Sequence, residues 1–537
     1  MRTPSTGSRD DGHRRPTAGR RRDLRATAPV PQPPWRRLVN PFTPLELLSA
    51  DQVEAIHQAG LAILRDIGME VLGTTAVDRF AAAGAGDGVR VERPDGTATR
   101  AADGRGVVGR VRLDPDFAAG LVARAPARFE LAARNPARRL VFGDRHLVVC
   151  AVGGPAFVSD LDRGRRPGTQ ADLEAYLRVI GALDVIHQEG GGPLEAQDMP
   201  VATRHLDLYR AQATLLDKAW QCSAFGRGVV DDALEVAAIA LGTTRAGLLA
   251  DPALMTIVNS NSPLRLDGPM ADGLVAMAEA GQAVVATPFT LAGAMTPATL
   301  AGALAQQHAE ALFMVALTQL VRPGAPVVYG GFTSNVDMRT GSPSFGTPEY
   351  VQGQLATGQL ARHVGLPWRT SNVTASPVAD VQAATESAMS AWGAVTAGAN
   401  LLYQGAGWLE GGLTASFEKL VLDAELLGSL AAVLAPVEVS ADTLGLDAIA
   451  DVGPGGHFLG SPHTLARYET AFHRPMLAEQ RTFEAWADDG ARTATERANA
   501  TWKRLLAEYE VPSLPPDRAE ALEAFVTRRK RELLAGA

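Results

Sequence analysis

The chain has 537 residues, a formal net charge of −8 and 46% hydrophobic residues. This length and composition suit one large barrel with appendages, or two to three smaller domains, and they exclude a chain that is disordered throughout. The acidic balance argues against a dedicated nucleic-acid-binding protein, which needs a clustered basic surface to neutralise phosphates. We also expect no membrane span, because no uninterrupted apolar run approaches about 18 residues.

The cysteine content limits both the compartment and the chemistry. The chain contains two cysteines, Cys150 and Cys222, which can form neither a disulfide scaffold nor a four-thiolate metal site. A reducing compartment fits this usage, so we expect a cytoplasmic protein. Cys222 lies inside a strand pattern without a neighbouring base, which makes it a poor candidate for a nucleophile.

Residues 1–40 are predicted to be a flexible tail. Residues 1–39 carry ten arginines, three aspartates and six prolines, a composition that cannot bury enough apolar surface to fold alone. The pairs Arg14-Arg15 and Arg20-Arg21 resemble part of a twin-arginine export signal, but no apolar segment follows them. A disordered leader and a start codon placed upstream of the true one explain this segment equally well.

Residues 41–145 are predicted to form a helical segment and a small β-rich insertion. From Thr43 onward, apolar residues recur every three to five positions, as in a helix, with Ser49 or Asp51 as the N-cap of its second half. The apolar positions are Leu48, Val53, Ile56, Leu61, Leu64 and Ile67. Residues 84–146 are rich in Gly, Asp and Arg with short runs that contain Val, which favours strands.

Residues 146–437 repeat a strand-then-helix pattern eight times. The apolar runs lie at 146–152, 184–187, 219–225, 254–258, 283–286, 326–330, 367–372 and 400–404. The helical patterns that follow lie at 171–182, 201–216, 231–242, 268–280, 298–321, 348–364, 380–396 and 415–434. Eight such units predict an α/β protein with a (β/α)8 TIM barrel, and a doubly wound sheet is the alternative. Residues 438–537 are predicted to be a C-terminal extension packed on the barrel, with amphipathic helices at 494–508 and 517–534.

In such a barrel the loops that follow the strands form the active-site face. The carboxylates there are Glu189 and Glu410, which we take as candidate catalytic residues. A Schiff-base enzyme is disfavoured because none of the lysines, Lys218, Lys419, Lys503 and Lys530, follows a strand. We expect no metal site, because no cluster of His or carboxylate ligands follows the strands. His457 and His463 are interpreted as residues that order a loop.

The other residues at the predicted strand ends are aromatic side chains and amides. A pocket of carboxylates, amides and aromatic rings suits a cation without acidic protons, such as a quaternary ammonium. The candidate substrate-binding residues are Trp408, Tyr329, Phe332, Asn259, Asn261, Asn372 and Gln404, and Tyr403 and Trp368 are further aromatic residues near strand ends. Each has a structural alternative: core packing for the rings, a solvated helix start for Glu410, a surface loop for Glu189 and loop hydrogen bonding for the asparagines.

At these residues the sequence resembles the trimethylamine methyltransferase family of corrinoid-dependent methyltransferases. The likeness runs from about residue 41 to the C-terminus and includes phrases such as NSNSPLRLDGPMADG at 259–273 and GANLLYQGAGWLEGG at 398–412. The matching stretches are 153–187, 259–310, 326–349, 379–387, 398–425 and 455–469. The resemblance also implies a (β/α)8 barrel.

The resemblance implies that a methyl group moves from a quaternary or tertiary methylated amine to the Co(I) corrinoid of a partner protein. The corrinoid is the nucleophile, so the barrel has to orient the N-methyl group and exclude water. No cofactor is then expected to bind tightly to this chain itself, and a homo-oligomer is expected. Family members that act on trimethylamine carry pyrrolysine, whereas the matching segment here, 373–382, holds ordinary residues. A betaine-like substrate is therefore favoured, with Arg369, Asn372 or Asn261 as partners for a carboxylate.

Two other functions stay open on the sequence alone. A barrel that binds quaternary amines without turnover would serve as a sensor or delivery protein. An unrelated TIM-barrel lyase or aldolase is the other alternative, although the absence of a lysine or a metal cluster at the strand ends counts against it.

Overall fold

The computed structural model describes residues 29–84, 88–93 and 108–536. The chain divides into two units, residues 1–31 and 32–537, and all contacts given below lie within the second unit. The arginine pairs at 14–15 and 20–21 lie outside the described residues. Among the helices that the structure describes, none is both long enough and apolar enough to cross a bilayer.

A closed ring of eight parallel strand positions forms the centre of the second unit. Seven of these positions are the strands His146–Val149, Trp220–Cys222, Leu254–Ser260, Ala283–Ala292, Val327–Gly330, Trp368–Ser371 and Leu401–Tyr403. The last six pair successively in parallel, and Leu401–Tyr403 pairs with His146–Val149. Gln188 closes the ring through parallel bridges to Cys150 and Ala219. The predicted (β/α)8 barrel is confirmed, and the doubly wound alternative is wrong.

The second strand position is reduced to a single residue. Residues 184–187, which were predicted as a strand, form a turn in which the Ile186 amide donates to the Leu183 carbonyl. At His187 a side chain takes the place of a backbone acceptor: the Val149 amide donates to His187 Nδ1 at 3.0 Å and not to a carbonyl of a neighbouring strand. The pairing residue is therefore Gln188, one position beyond the predicted run.

The eight predicted helices all surround the ring. They are Gln170–Ala182, Arg204–Leu215, Arg227–Leu241, Gly268–Glu279, Leu300–Val321, Pro348–His363, Val381–Thr396 and Phe417–Val433, with Arg245–Ala250 as an additional short helix. Side-chain caps define several starts: the hydroxyls of Thr169 and Ser416, for example, accept hydrogen bonds from the amides of Asp172 and Lys419. The longest helix, Leu300–Val321, is buried on almost all sides because the N-terminal segment covers its outer face.

The N-terminal helix begins later than predicted. It runs from Ala50–Ala62, continues as a π-helix to Ile67, and starts at the predicted N-cap Ser49. Residues 43–49 are not helical, because the Gln359 side chain accepts hydrogen bonds from the amides of Leu47 and Leu48 and donates to the Leu48 carbonyl. This tertiary contact replaces the hydrogen bonds that a helix would have supplied.

A small α/β layer follows this helix, in the segment for which a β-rich insertion was predicted. Its sheet consists of Met69–Val71, Val89–Glu92, Gly109–Leu113 and, from the barrel, Arg265–Leu266, with the helices Thr74–Ala83 and Pro115–Val122 beside it. The hairpin Phe129–Leu131 with Leu140–Phe142 packs its apolar side chains against barrel residues such as Val148 and Val285. The hairpin therefore closes the barrel at the end opposite the carboxyl ends of the strands.

The predicted tail, residues 1–40, is not a tail over its last part. Leu38–Val39 pairs in antiparallel fashion with Leu147 and His146 at the start of the first barrel strand. Leu38 is buried, and Trp35 packs against the barrel core. The correction has a simple cause: these few apolar residues gain enough burial on a preformed surface, although the segment could not fold alone.

The C-terminal extension lies against the outside of the barrel. Its helices are Ala441–Leu444, Leu446–Val452, Pro462–Leu465, Phe483–Asp488, Ala494–Glu508 and Pro516–Ala535. Trp502 packs on Phe417 with ring centroids 4.5 Å apart. The buried carboxylate of Glu418 accepts hydrogen bonds from Trp502 Nε1 at 2.9 Å and from Asn499 Nδ2 at 2.8 Å. This carboxylate therefore joins the extension to a barrel helix.

Glu418→Ala should lower the free energy of unfolding by roughly 2–4 kcal/mol, because it leaves the buried Trp502 N–H without its acceptor and removes the acceptor of the Leu161 amide, while Asn499 keeps only Asp162. Urea denaturation measures the change. Lys503→Ala is the control. Lys503 belongs to the same helix as Trp502, and its ammonium forms an exposed ion pair with Asp162, so the free energy of unfolding should fall by less than about 1 kcal/mol. Equal losses in the two variants would show that Glu418 does not anchor the extension.

Candidate active site

A cavity of about 230 Å³ opens at the carboxyl ends of the barrel strands. Its wall contains four of the predicted residues: Asn259, Phe332, Gln404 and Trp408. Further wall residues include Cys222, Thr287, Phe289, Arg369 and Tyr403, and the backbone of Gly153, Gly154, Gly190 and Gly191 completes one side. This is the position in which barrel enzymes hold their substrates.

One side of the cavity is aromatic. The strand Ala283–Ala292 continues beyond the ring, and Phe332–Val336 pairs beside it in parallel so that Phe289 and Phe332 are opposite each other. Their ring centroids are 5.1 Å apart, and the Trp408 ring lies 6.3 Å from that of Phe332. These three rings, which we call the aromatic wall, offer π-faces to a bound cation.

Trp408 is held in place by a tight local structure. The pair Trp408–Leu409 and Thr414–Ser416 forms a short antiparallel ribbon, and the indole N–H donates to the Thr374 carbonyl at 3.1 Å. Gly412, at a φ of +94°, faces the indole so closely that an added Cβ would lie 2.5 Å from a ring atom. A glycine is therefore required there for the ring to reach the cavity.

Arg369 is the cationic residue of the wall. It is 2% exposed, and its guanidinium carbon lies 5.2 Å from the Phe332 ring centroid and 4.9 Å from that of Tyr403. Nη2 donates to Gln404 Oε1 at a long 3.4 Å, whereas Nε and Nη1 are buried without a hydrogen-bond partner in the part of the chain that the structure describes. Burial lowers the pKa of Arg369 to about 10, so the group is charged at neutral pH.

Glu189 lies behind the cavity wall. Its carboxylate is fully buried and accepts hydrogen bonds from the amides of Gly191 and Gly192, at 2.9 and 2.7 Å, and from Gln212 Nε2 at 2.5 Å. Burial raises the pKa of Glu189 to about 7 against the opposing effect of these donors. The predicted catalytic carboxylate thus fixes the glycine loop, and the alternative of an exposed surface loop is wrong.

The glycine loop is also fixed from the cavity side. The Tyr403 hydroxyl donates to the Gly190 carbonyl at 2.6 Å. Gly153 passes so close that an added Cβ would lie 2.0 Å from the Gly190 carbonyl oxygen. The two backbones therefore form a smooth, rigid side of the cavity without side chains.

Besides Glu189, four predicted site residues do not line the cavity: Tyr329, Asn261, Asn372 and Glu410. The Tyr329 hydroxyl contacts His308 Nδ1 at 2.8 Å, between the ring and its surrounding helices. Asn261 accepts from the Asp267 amide, and Asn372 donates to the Gly405 carbonyl, so both satisfy loop backbone groups. These contacts match the structural alternative for the asparagines, loop hydrogen bonding.

Glu410, the other predicted catalytic carboxylate, belongs to the ribbon beside Trp408. It pairs with Arg165 Nε at 2.7 Å and accepts from the Thr414 hydroxyl at 2.6 Å. Partial burial opposes ionisation, but these two donors hold the pKa of Glu410 below its usual value. A carboxylate that is ionised and already paired stabilises the ribbon rather than transferring protons.

Cys222 and His463 behave as their sequence context indicated, whereas the loop-ordering role of His457 stays a prediction. Burial raises the pKa of the Cys222 thiol to about 12, so it is not a thiolate at neutral pH. His463 Nε2 lies 3.3 Å from the Asp442 carbonyl oxygen and so joins two segments of the extension. His457 is exposed in the same region. Within the described ranges, no group of three or more His, Cys, Asp or Glu side chains could hold a metal ion.

Comparison with known proteins decides the family. A model of the trimethylamine methyltransferase family (MTTB) matches residues 14–534. The chain belongs to this family. It is 35% identical over 488 residues to the glycine betaine methyltransferase of Desulfitobacterium hafniense strain Y51, covering 91% of this chain and 98% of that protein.

A second relative and a solved structure are more distant from this chain. Trimethylamine methyltransferase MttB of Desulfitobacterium hafniense strain DSM 10664 / DCB-2 is 26% identical, over 90% of this chain and 94% of that protein. Among solved structures, the monomethylamine methyltransferase of Methanosarcina barkeri aligns over 88% of this chain and 90% of its own, with a TM-score of 0.46 and 10% identity.

The pKa of Glu189 leads to a pH-dependent prediction. Between pH about 4.5 and about 7, Glu189 is protonated in the folded protein and ionised in the unfolded chain. The free energy of unfolding should therefore fall as the pH rises through this window. Glu189→Gln cannot ionise and lacks this dependence. The wild type should therefore lose roughly 3 kcal/mol relative to the variant across this window, at about 1.4 kcal/mol per pKa unit.

Urea titrations of both proteins at several pH values test this prediction. Glu189→Gln also disturbs the hydrogen bonds from the amides of Gly191 and Gly192, which changes the free energy of unfolding at every pH. The measured quantity is therefore how the difference in free energy of unfolding between the two proteins changes with pH. A difference that stays constant between pH 4.5 and 7 would contradict the raised pKa.

Proposed function

We propose that this protein transfers a methyl group from a betaine-like quaternary or tertiary methylated amine to the Co(I) corrinoid of a partner protein. Family membership and the 35% identity to a glycine betaine methyltransferase support a methyltransferase. The observation that carries the proposal is the aromatic wall of Phe289, Phe332 and Trp408 at the carboxyl ends of the strands. Such rings bind an alkylated nitrogen without supplying a proton or a nucleophile.

The residues present suit a reaction of this type. The Co(I) corrinoid on the partner would supply a two-electron nucleophile for the methyl carbon, and the electron pair of the N–CH₃ bond would stay on nitrogen. A quaternary amine leaves as a neutral amine, so no general acid is required. Accordingly, Glu189 and Glu410 are both engaged in structural hydrogen bonds, and Cys222 is protonated. The chain's own contribution is to hold the methyl group in line and to keep water out.

The end of the barrel around the cavity also suits a docking partner. Large apolar side chains are exposed on segments that follow the barrel strands: Val201, Phe225, Met338, Val378 and Leu413. They share the end of the barrel at which the cavity opens, so a corrinoid protein that covered this end would bury them. Exposed apolar groups around an opening are typical of a protein-binding surface.

The expected homo-oligomer stays a prediction.

The methyl-transfer test uses the purified full-length protein, a corrinoid protein reduced to Co(I), and glycine betaine. We expect the absorbance of methyl-Co(III) to appear together with dimethylglycine, at equal amounts. Tight binding of quaternary amines with no cobalt methylation would favour the sensor alternative, and turnover of a substrate without any corrinoid would favour a lyase.

Phe332→Leu should lower kcat/KM for a quaternary amine by about 10-fold or more, because it removes a ring that the cation faces. Tyr329→Phe is the control: it removes only a hydroxyl that contacts His308 outside the cavity, and should leave kcat/KM unchanged. Thermal unfolding of both variants checks the fold. Equal losses of kcat/KM in both would contradict the assignment of the aromatic wall.

A further inference from the structure

Arg369 is a buried cation without an anion. Its side chain belongs to the strand Trp368–Ser371 and reaches the cavity, where it is 2% exposed. The ionisable groups that face it are the phenols of Tyr350 and Tyr403 and the thiol of Cys150. Burial raises the pKa of all three, so they are neutral at pH 7. No carboxylate of the described residues forms a salt bridge with this guanidinium.

Such an arrangement is costly unless something else completes it. A buried charge without a partner destabilises a protein by several kcal/mol, and each unmatched buried N–H adds to the cost. Arg369 has two unmatched donors, Nε and Nη1. The π-faces of Phe332 and Tyr403 compensate this charge in part. The part of the burial cost that the rings leave uncompensated indicates that an anion from outside the chain binds at this position.

We propose that Arg369 binds the carboxylate of the substrate and selects amines that carry one, such as α-betaines, over choline or tetramethylammonium. This inference rests on the proposed function and names the group that sets its specificity. A guanidinium presents parallel N–H donors that match both oxygens of a carboxylate. Nη2 directs one hydrogen to Gln404, so Nε and Nη1 are without partners, and either of them can form a fork for a carboxylate with the second Nη2 hydrogen.

The neighbouring residues place the two ends of such a zwitterion side by side. Phe332 lies next to the Arg369 guanidinium, at 5.2 Å, and next to the rings of Phe289 and Trp408, at 5.1 and 6.3 Å. A carboxylate at Arg369 therefore puts an ammonium one or two bonds away next to the aromatic wall. A cation without a carboxylate would enter the same cavity beside an unneutralised positive charge, which repels it.

Calorimetric binding without any corrinoid protein tests the inference. The wild type should bind glycine betaine more tightly than choline or tetramethylammonium. Arg369→Gln should weaken glycine betaine binding by about 100-fold, as expected for loss of a buried charge-assisted pair. Its affinity for tetramethylammonium should stay the same or increase, because a repelling charge is gone. Arg369→Lys, which keeps the charge and loses the fork, should lie between the two.

Arg362→Gln is the matched control. Arg362 is exposed and donates to the Ala397 carbonyl at the far end of the barrel, so removing its charge should not change binding of either ligand. Thermal unfolding adds a second readout: glycine betaine should raise Tm of the wild type and of R362Q but not of R369Q. Equal weakening of both ligands by R369Q, or none, would overturn the proposal.

The outcomes separate this inference from the proposed function. Carboxylate-dependent binding that R369Q abolishes, with no methyl transfer to the corrinoid protein, supports the role of Arg369 and contradicts the methyltransferase. Methyl transfer from choline or tetramethylammonium as efficient as from glycine betaine contradicts the role of Arg369 and leaves the methyltransferase supported.

Discussion

The cavity holds one buried charge that the chain compensates only in part. Arg369 is buried with two unmatched N–H donors, and the groups that face it are neutral. The fold has to supply the free energy that keeps this guanidinium out of water, through the barrel packing on every side of it. That cost is consistent with a site selected for binding: a negatively charged ligand regains the interaction that the folded chain lacks.

The surrounding polar residues are structural supports for that cavity. Glu189 fixes the Gly190–Gly192 loop from behind, Tyr403 fixes it from the cavity side, and Glu410 stabilises the ribbon that carries Trp408. A reaction whose nucleophile is carried by a partner needs shape and dryness more than proton transfer. Carboxylates next to a cavity therefore do not have to be catalytic, even where the pKa of one, Glu189, lies near 7.

The fold was predictable from the sequence because barrel strands and helices have strong, regular apolar patterns. The exceptions have tertiary causes: Gln359 holds residues 47–48 out of a helix, and Gln188 pairs where residues 184–187 turn. The site was predictable only in part. Asn259, Phe332, Gln404 and Trp408 line the cavity, whereas Phe289 was missed because its strand runs six residues beyond the apolar run at 283–286. No pattern of residue types shows that Arg369 lacks a partner.

Arg369 and the aromatic wall affect the rate of methyl transfer in different ways. During methyl transfer the nitrogen loses its positive charge, so contacts of Phe289, Phe332 and Trp408 with that charge weaken towards the transition state. The part of this binding energy that is lost on the way favours the ground state, so the rings aid the reaction through the charge that nitrogen still carries in the transition state and through alignment of the methyl group. The carboxylate keeps its charge throughout, so its pairing with Arg369 is the same before and during transfer. A site that takes its affinity from the guanidinium and uses the rings for alignment can bind the amine firmly without opposing the loss of its charge.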